Sequence, residues 1–89
     1  MHAVVTKVTV NDGEGATTHL RDEVVPQVSQ APGLVAAYWV RLEGADQGTS
    51  MIVLESEDAA RAVAGQIQPP PGGEVTIDSI TVGEVVAHA

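Results

Sequence analysis

The chain has no cysteine, which excludes disulfide staples, thiolate metal sites and a cysteine nucleophile. Phenylalanine is also absent, and one tyrosine and one tryptophan make up the aromatic set. Basic residues are scarce: Lys7, Arg21, Arg41 and Arg61 stand scattered against 12 acidic side chains, for a formal net charge of −8. A nucleic-acid binder needs a basic stripe to neutralise phosphates, so no nucleic-acid partner is expected. Attraction to an anionic membrane is disfavoured on the same ground. No apolar run approaches the ~20 residues that span a bilayer. The first residues, Met1 to Lys7, show no charged segment followed by an apolar one, so no signal peptide is visible. A cytoplasmic location is the default expectation.

What is present is 44% apolar residue content, nearly all Val, Ala, Ile and Leu, in 89 residues. That is ordinary for a globular protein and fits one domain over 1–89. A chain this short buries only about 60–65% of its unfolded surface, and unstapled chains of this size often gain stability by oligomerising.

Ala3 to Val10 alternates β-branched residues at period two, with Val4, Thr6, Val8 and Val10 on one side, and reads as a strand. Residues Asn11 to Gly15 then favour a turn. Leu20, Val24 and Val28 at i, i+4, i+8 predict a helix face. Pro26 inside that helix has no N–H for the Asp22 carbonyl, so a kink is expected between Asp22 and Val25. Ala31-Pro32-Gly33 ends the element. Leu34–Arg41 reads as a second strand, Glu43 to Gly48 as a hairpin-type loop, and Ser50–Glu55 as a third strand. Ser56 is a candidate N-cap, followed by Glu57 and Asp58 at the positive end of the helix dipole. Ala60, Val63, Ala64 and Ile67 form the buried stripe of a second helix. Gln68-Pro69-Pro70-Pro71-Gly72-Gly73 suits a stiff surface connection. Val75–Ala87 reads as a long last strand, with a phase shift that predicts a bulge near Asp78-Ser79. The order is β-α-β-β-α-β, an α+β ferredoxin-like unit with a four-stranded antiparallel sheet.

In that fold two helices cover one sheet face and leave the other bare. A bare face in water should be polar, yet the second and third strands are apolar on both sides. Burying one large apolar side chain stabilises by roughly 1.5–3 kcal/mol. Packing of this face against a second copy about a two-fold axis is therefore expected, giving a homodimer. The alternative is a monomer whose termini or loops cover the sheet.

Candidate chemistry is thin. His2, His19 and His88 lie far apart in sequence, none has a second ligand at metal spacing, and no metal site is expected. Ser29, Ser50 and Ser79 have no nucleophile-elbow context, and Ser56 is accounted for as a cap. The acidic pairs Asp22-Glu23 and Glu57-Asp58 suit solvated helix faces. Tyr38 and Trp39 are neighbours on a strand, so one must face the helices and the other the bare face. Either can line a ligand pocket. The second helix is rich in alanine, which means either close approach to the sheet or a pocket.

Three segments carry a resemblance: Leu20-Arg21-Asp22-Glu23-Val24-Val25-Pro26, Ala31-Pro32-Gly33-Leu34-Val35-Ala36, and Leu54-Glu55-Ser56-Glu57-Asp58-Ala59-Ala60. A helix, a Pro-Gly turn into strand two, and a strand ending at an acid-rich cap resemble the dimeric α/β-barrel superfamily, in its antibiotic-biosynthesis-monooxygenase (ABM) branch. The resemblance implies a homodimer of sheets closed into a barrel, with the last strand reaching across to the partner. It implies two activities, oxidation of polycyclic quinol-type substrates with neither metal nor flavin, or haem degradation, in a cleft between helices and sheet. The haem-degrading branch carries an Asn on strand one, a Trp in helix two and a His after it. The matching positions here look like Thr6 and Val63, and no histidine follows helix two before His88. The resemblance therefore leaves a cofactor-independent monooxygenase-like protein acting on a small organic substrate, or a non-catalytic dimeric ligand-binding or structural domain. Thr6 and Val63, the positions matched through the resemblance, join Tyr38 and Trp39 as pocket candidates, and no cofactor is implied.

Overall fold

The structure, a computed structural model, describes residues 1–44 and 46–89. Strand β1 (His2–Val10) takes the centre of the sheet, pairing antiparallel with both of its neighbours. The break after it is shorter than expected, because Gly13 and Gly15 already belong to helix α1 (Gly13–His19). Asp12 caps that helix, its carboxylate accepting the Gly15 N–H at 3.1 Å.

Helix α1 runs into a π-helical turn (Leu20–Val24) and then α2 (Val25–Ser29). The kink expected beside Pro26 takes this form. In the π turn the Val25 N–H reaches five residues back to the Leu20 carbonyl. The wider turn sits directly before a residue with no N–H to give, so the helix continues past proline instead of breaking. Gly33, with φ of 81°, then turns the chain into β2 (Leu34–Arg41).

Strand β3 (Gln47–Leu54) starts earlier than the sequence suggests, taking in Gln47 and Gly48. Of the loop expected over 43–48, Ala45 lies outside the described residues. Ser56 caps α3 (Glu57–Gln66), accepting the Ala59 N–H at 3.1 Å. Strand β4 (Val75–Glu84) ends short of the expected Ala87. Beyond it, the Val85 N–H is tied back to the Met1 carbonyl at 3.0 Å. The register of β4 on β1 steps from Lys7↔Ser79 to Val8↔Ile77, which leaves Asp78 as the bulged residue, where the phase shift placed it.

The sheet order is β2-β3-β1-β4, antiparallel throughout, with the helices on one face: the ferredoxin-like arrangement. The core is small and lies under α3. Val4, Ile52, Leu54, Ala60 and Val63 are buried together, with Leu34, Ala37, Trp39 and Val82 packed against them. A register step between Leu34 and Ala36 moves Leu34 onto the face shared by Ala37 and Trp39, where strict alternation would put it opposite. The alanine-rich helix approaches the sheet closely, and Ala60 is fully buried.

Candidate functional site

A pocket opens beneath the first helical segment, with α3 on its far side. Residues 13–29 are held to the body at two ends: Ala16 is buried near the start, and Val28 packs on the core near the finish. The π turn between them buries no residue. Under it lies a cleft of about 520 Å³, bounded by the helical segment, the helix-facing side of the sheet, and the stretch after α3. That volume is within the ~300–1,000 Å³ usual for small-molecule sites.

Apolar side chains make most of the wall: Leu20, Val24 and Val28 from the helical face, Ile52 from β3, and Val63 and Ile67 on the far side. Pro69, Pro70 and Pro71 also line it, and Pro70 is buried. The proline run is thus a wall of the cleft as well as a connection. Its fixed φ values hold that wall in place at little entropic cost. Ionisable lining residues are few, namely His19 and Glu23 along the helix and Arg41 at the end of β2. Arg41 lies across Gly13, where any Cβ would collide with its guanidinium group.

The floor is polar at one point. Thr6 on β1 and Ser50 on β3 are register partners, and their hydroxyl oxygens lie 2.5 Å apart. Both side chains are buried. Thr49 adds a bond to the Thr6 carbonyl at 2.8 Å. Trp39 follows on β2, opposite Ser50 in the register and on the same face.

Three of the four residues singled out in the sequence therefore meet in one place: Thr6, Trp39 and Val63 all line the cleft. Tyr38 does not. It points to the bare face and is 65% exposed. Ser50, His19 and the proline run were not foreseen as lining residues. A signal for Ser50 was available. It shares the phase of Ile52 and Leu54, as Thr6 shares that of Val4 and Val8, so two adjacent strands each interrupt an apolar row with a hydroxyl.

Among the described residues no cluster of three or more His, Cys, Asp or Glu side chains could hold a metal ion, and no helix is long and apolar enough to cross a membrane. One displaced carboxylate stands outside the residues that line the cleft. Glu57 is held below the usual carboxylate range, first by a hydrogen bond from Arg61 at 2.9 Å and its charge, and slightly by His2 at 3.6 Å.

No protein-family model and no curated protein matches the sequence. Solved structures do match the fold over nearly the whole chain. HapK from Hahella chejuensis superimposes with a TM-score of 0.74 at 14% identity, covering 100% of this chain and 96% of that one. SnoaB from Streptomyces nogalater, a cofactor-independent oxygenase, gives 0.73 at 16% identity over 98% of this chain and 94% of its own. The haem-degrader MhuD from Mycobacterium tuberculosis, solved with two haems in its active site, gives 0.58 at 20% identity, covering 97% and 98%. These structural neighbours have the ABM-like ferredoxin fold, and this chain shares that fold with them.

Proposed function

We propose that this ABM-like chain pairs with a second copy and takes a small organic molecule into the cleft beneath its first helical segment, for monooxygenase-like chemistry that needs no cofactor. The observation that carries the reading is the cleft itself: about 520 Å³, mainly apolar, with a buried hydroxyl pair at its floor. A shared fold with a cofactor-independent oxygenase supports the reaction class. In such chemistry the substrate supplies the electrons. A ring CH2 becomes a carbonyl, one atom of dioxygen enters the substrate, and the other leaves as water with the two hydrogens removed. The protein's part is to hold an electron-rich, flat molecule out of bulk water.

Oxygen-electrode assays with polycyclic quinol-type substrates test this. Uptake above the uncatalysed rate, suppressed by at least tenfold in Ala16→Phe, is the expected result, since Ala16 lines the cleft and a ring there fills it. Ligand binding without uptake would favour the second reading, a non-catalytic binding domain. The lack of any recognisable acid/base pair motivates that alternative.

Haem is a poorer fit. Thr6 and Val63 stand where the resemblance calls for Asn and Trp, and the histidine on the cleft wall, His19, belongs to α1 and not to the segment after α3. We expect haem titration to leave the Soret band unshifted, and a clear shift would overturn this assignment.

Pairing is supported by the face without helices. Tyr38 at 65%, Val40 at 50% and Met51 at 47% exposure form an apolar patch across β2 and β3.

A further inference from the structure

The Thr6–Ser50 pair holds one proton more than its own bond uses. Each hydroxyl carries one O–H, and either atom can be the donor in the bond between them. Whichever donates, the other keeps a proton that still needs an acceptor. Among the described residues neither hydroxyl makes any further hydrogen bond. Thr6 is 6% exposed and Ser50 5%, so the acceptor has to come from within the cleft. Buried polar hydrogens are almost always paired, by protein, bound water or ligand. Both side chains line the cleft.

We infer that this hydroxyl pair is the polar anchor of the cleft, donating its spare proton to an uncharged acceptor oxygen, of carbonyl type, on the bound molecule. The inference rests on the reading of the cleft as a ligand site and assigns the part of the ligand that goes deepest. Chemistry favours a neutral acceptor over a carboxylate. A single hydroxyl proton can satisfy a ketone oxygen, whereas a buried anion would need several donors or a cation. Arg41, the cationic side chain lining the cleft, extends from the end of β2 toward Gly13 and α1. The mutual bond also holds the two oxygens in place before the ligand arrives. Trp39, on the same face beside Ser50, offers an aromatic surface to the group that carries the oxygen.

Amide NMR titration with two probes of one shape tests this: methyl naphthyl ketone, and isopropenylnaphthalene, in which CH2 replaces the carbonyl oxygen. The wild-type chain should bind the ketone about tenfold more tightly. In the double variant Thr6→Val/Ser50→Ala the preference should vanish while affinity for the alkene persists. Exchanging both partners of a buried bond for apolar groups of similar shape is close to neutral for folding. Thr6→Ser should keep the preference. Independently of any variant, a nuclear Overhauser contact between the ketone's methyl group and the Thr6 methyl should appear in the wild-type complex. Equal affinity for both probes in the wild type, or a preference that survives the double variant, would overturn the anchor and leave the cleft reading standing. Failure of both probes to move cleft amides would remove both.

Discussion

Thr6 and Ser50 matter at the residue scale because their hydroxyls stand where neighbours in the same rows are Val, Ile and Leu. A hydroxyl inside an apolar row costs stability unless it is bonded, and here each provides the other's partner. Removing one alone leaves the other buried without its bond, at about 1–3 kcal/mol. Ser50→Val should therefore lower the unfolding free energy more than the double change Thr6→Val/Ser50→Ala, as measured by urea denaturation. Glu57 gives a second residue-scale prediction. Its folded-state pKa is depressed by Arg61, so the pair's small contribution is present above the unfolded value and is lost as pH falls through the folded one. Arg61→Gln should raise the Glu57 titration midpoint toward that of an ordinary carboxylate, read by side-chain carboxyl NMR shifts.

At the scale of elements, the π turn decides the shape of the cleft roof. Proline inside an uninterrupted α-helix costs about 3 kcal/mol or more. If the π turn before Pro26 already accommodates the missing N–H, that cost is largely avoided. Pro26→Ala should then change stability by less than about 1 kcal/mol, and a gain near 3 kcal/mol by denaturant unfolding would show that proline strains this helix. The sequence announced a disturbance here, because a proline among helix-spaced apolar residues has no other reading. It did not announce the form, since a π turn depends on one extra residue being absorbed without a clash, which periodicity does not record. Ser56 was legible for the opposite reason: capping is local, and an extended serine before two acids and an alanine run has one geometry that satisfies the Ala59 N–H. Ser56→Ala should cost about 1 kcal/mol. The bulge at Asp78 was visible as a phase shift, whereas the end of β4 at Glu84 was not, because apolar residues continue to Ala87 without a strand to pair with.

For the whole molecule, the two faces of one sheet are built differently. The helix-facing side pairs a small core under α3 with a cleft under the first helical segment. Sequence alone showed that the second and third strands were apolar on both sides, and so pointed to a covered second face. It did not reveal the cleft, because the cleft arises from how far a helix stands off a sheet, a distance set by Ala16 and Val28 at its two ends. The bare face predicts a particle of twice the 9.2 kDa chain mass in sedimentation at micromolar concentration. Met51→Glu, which sets a charge in that patch, should shift the particle toward monomer. The central claim is that the cleft beneath the first helical segment receives the ligand, and amide NMR titration with methyl naphthyl ketone tests it most directly. Shifts confined to Thr6, Trp39, Ser50, Val63 and Gln68, and abolished in Ala16→Phe, are the predicted result. Shifts centred on Tyr38 and Met51, or undiminished in Ala16→Phe, would contradict it.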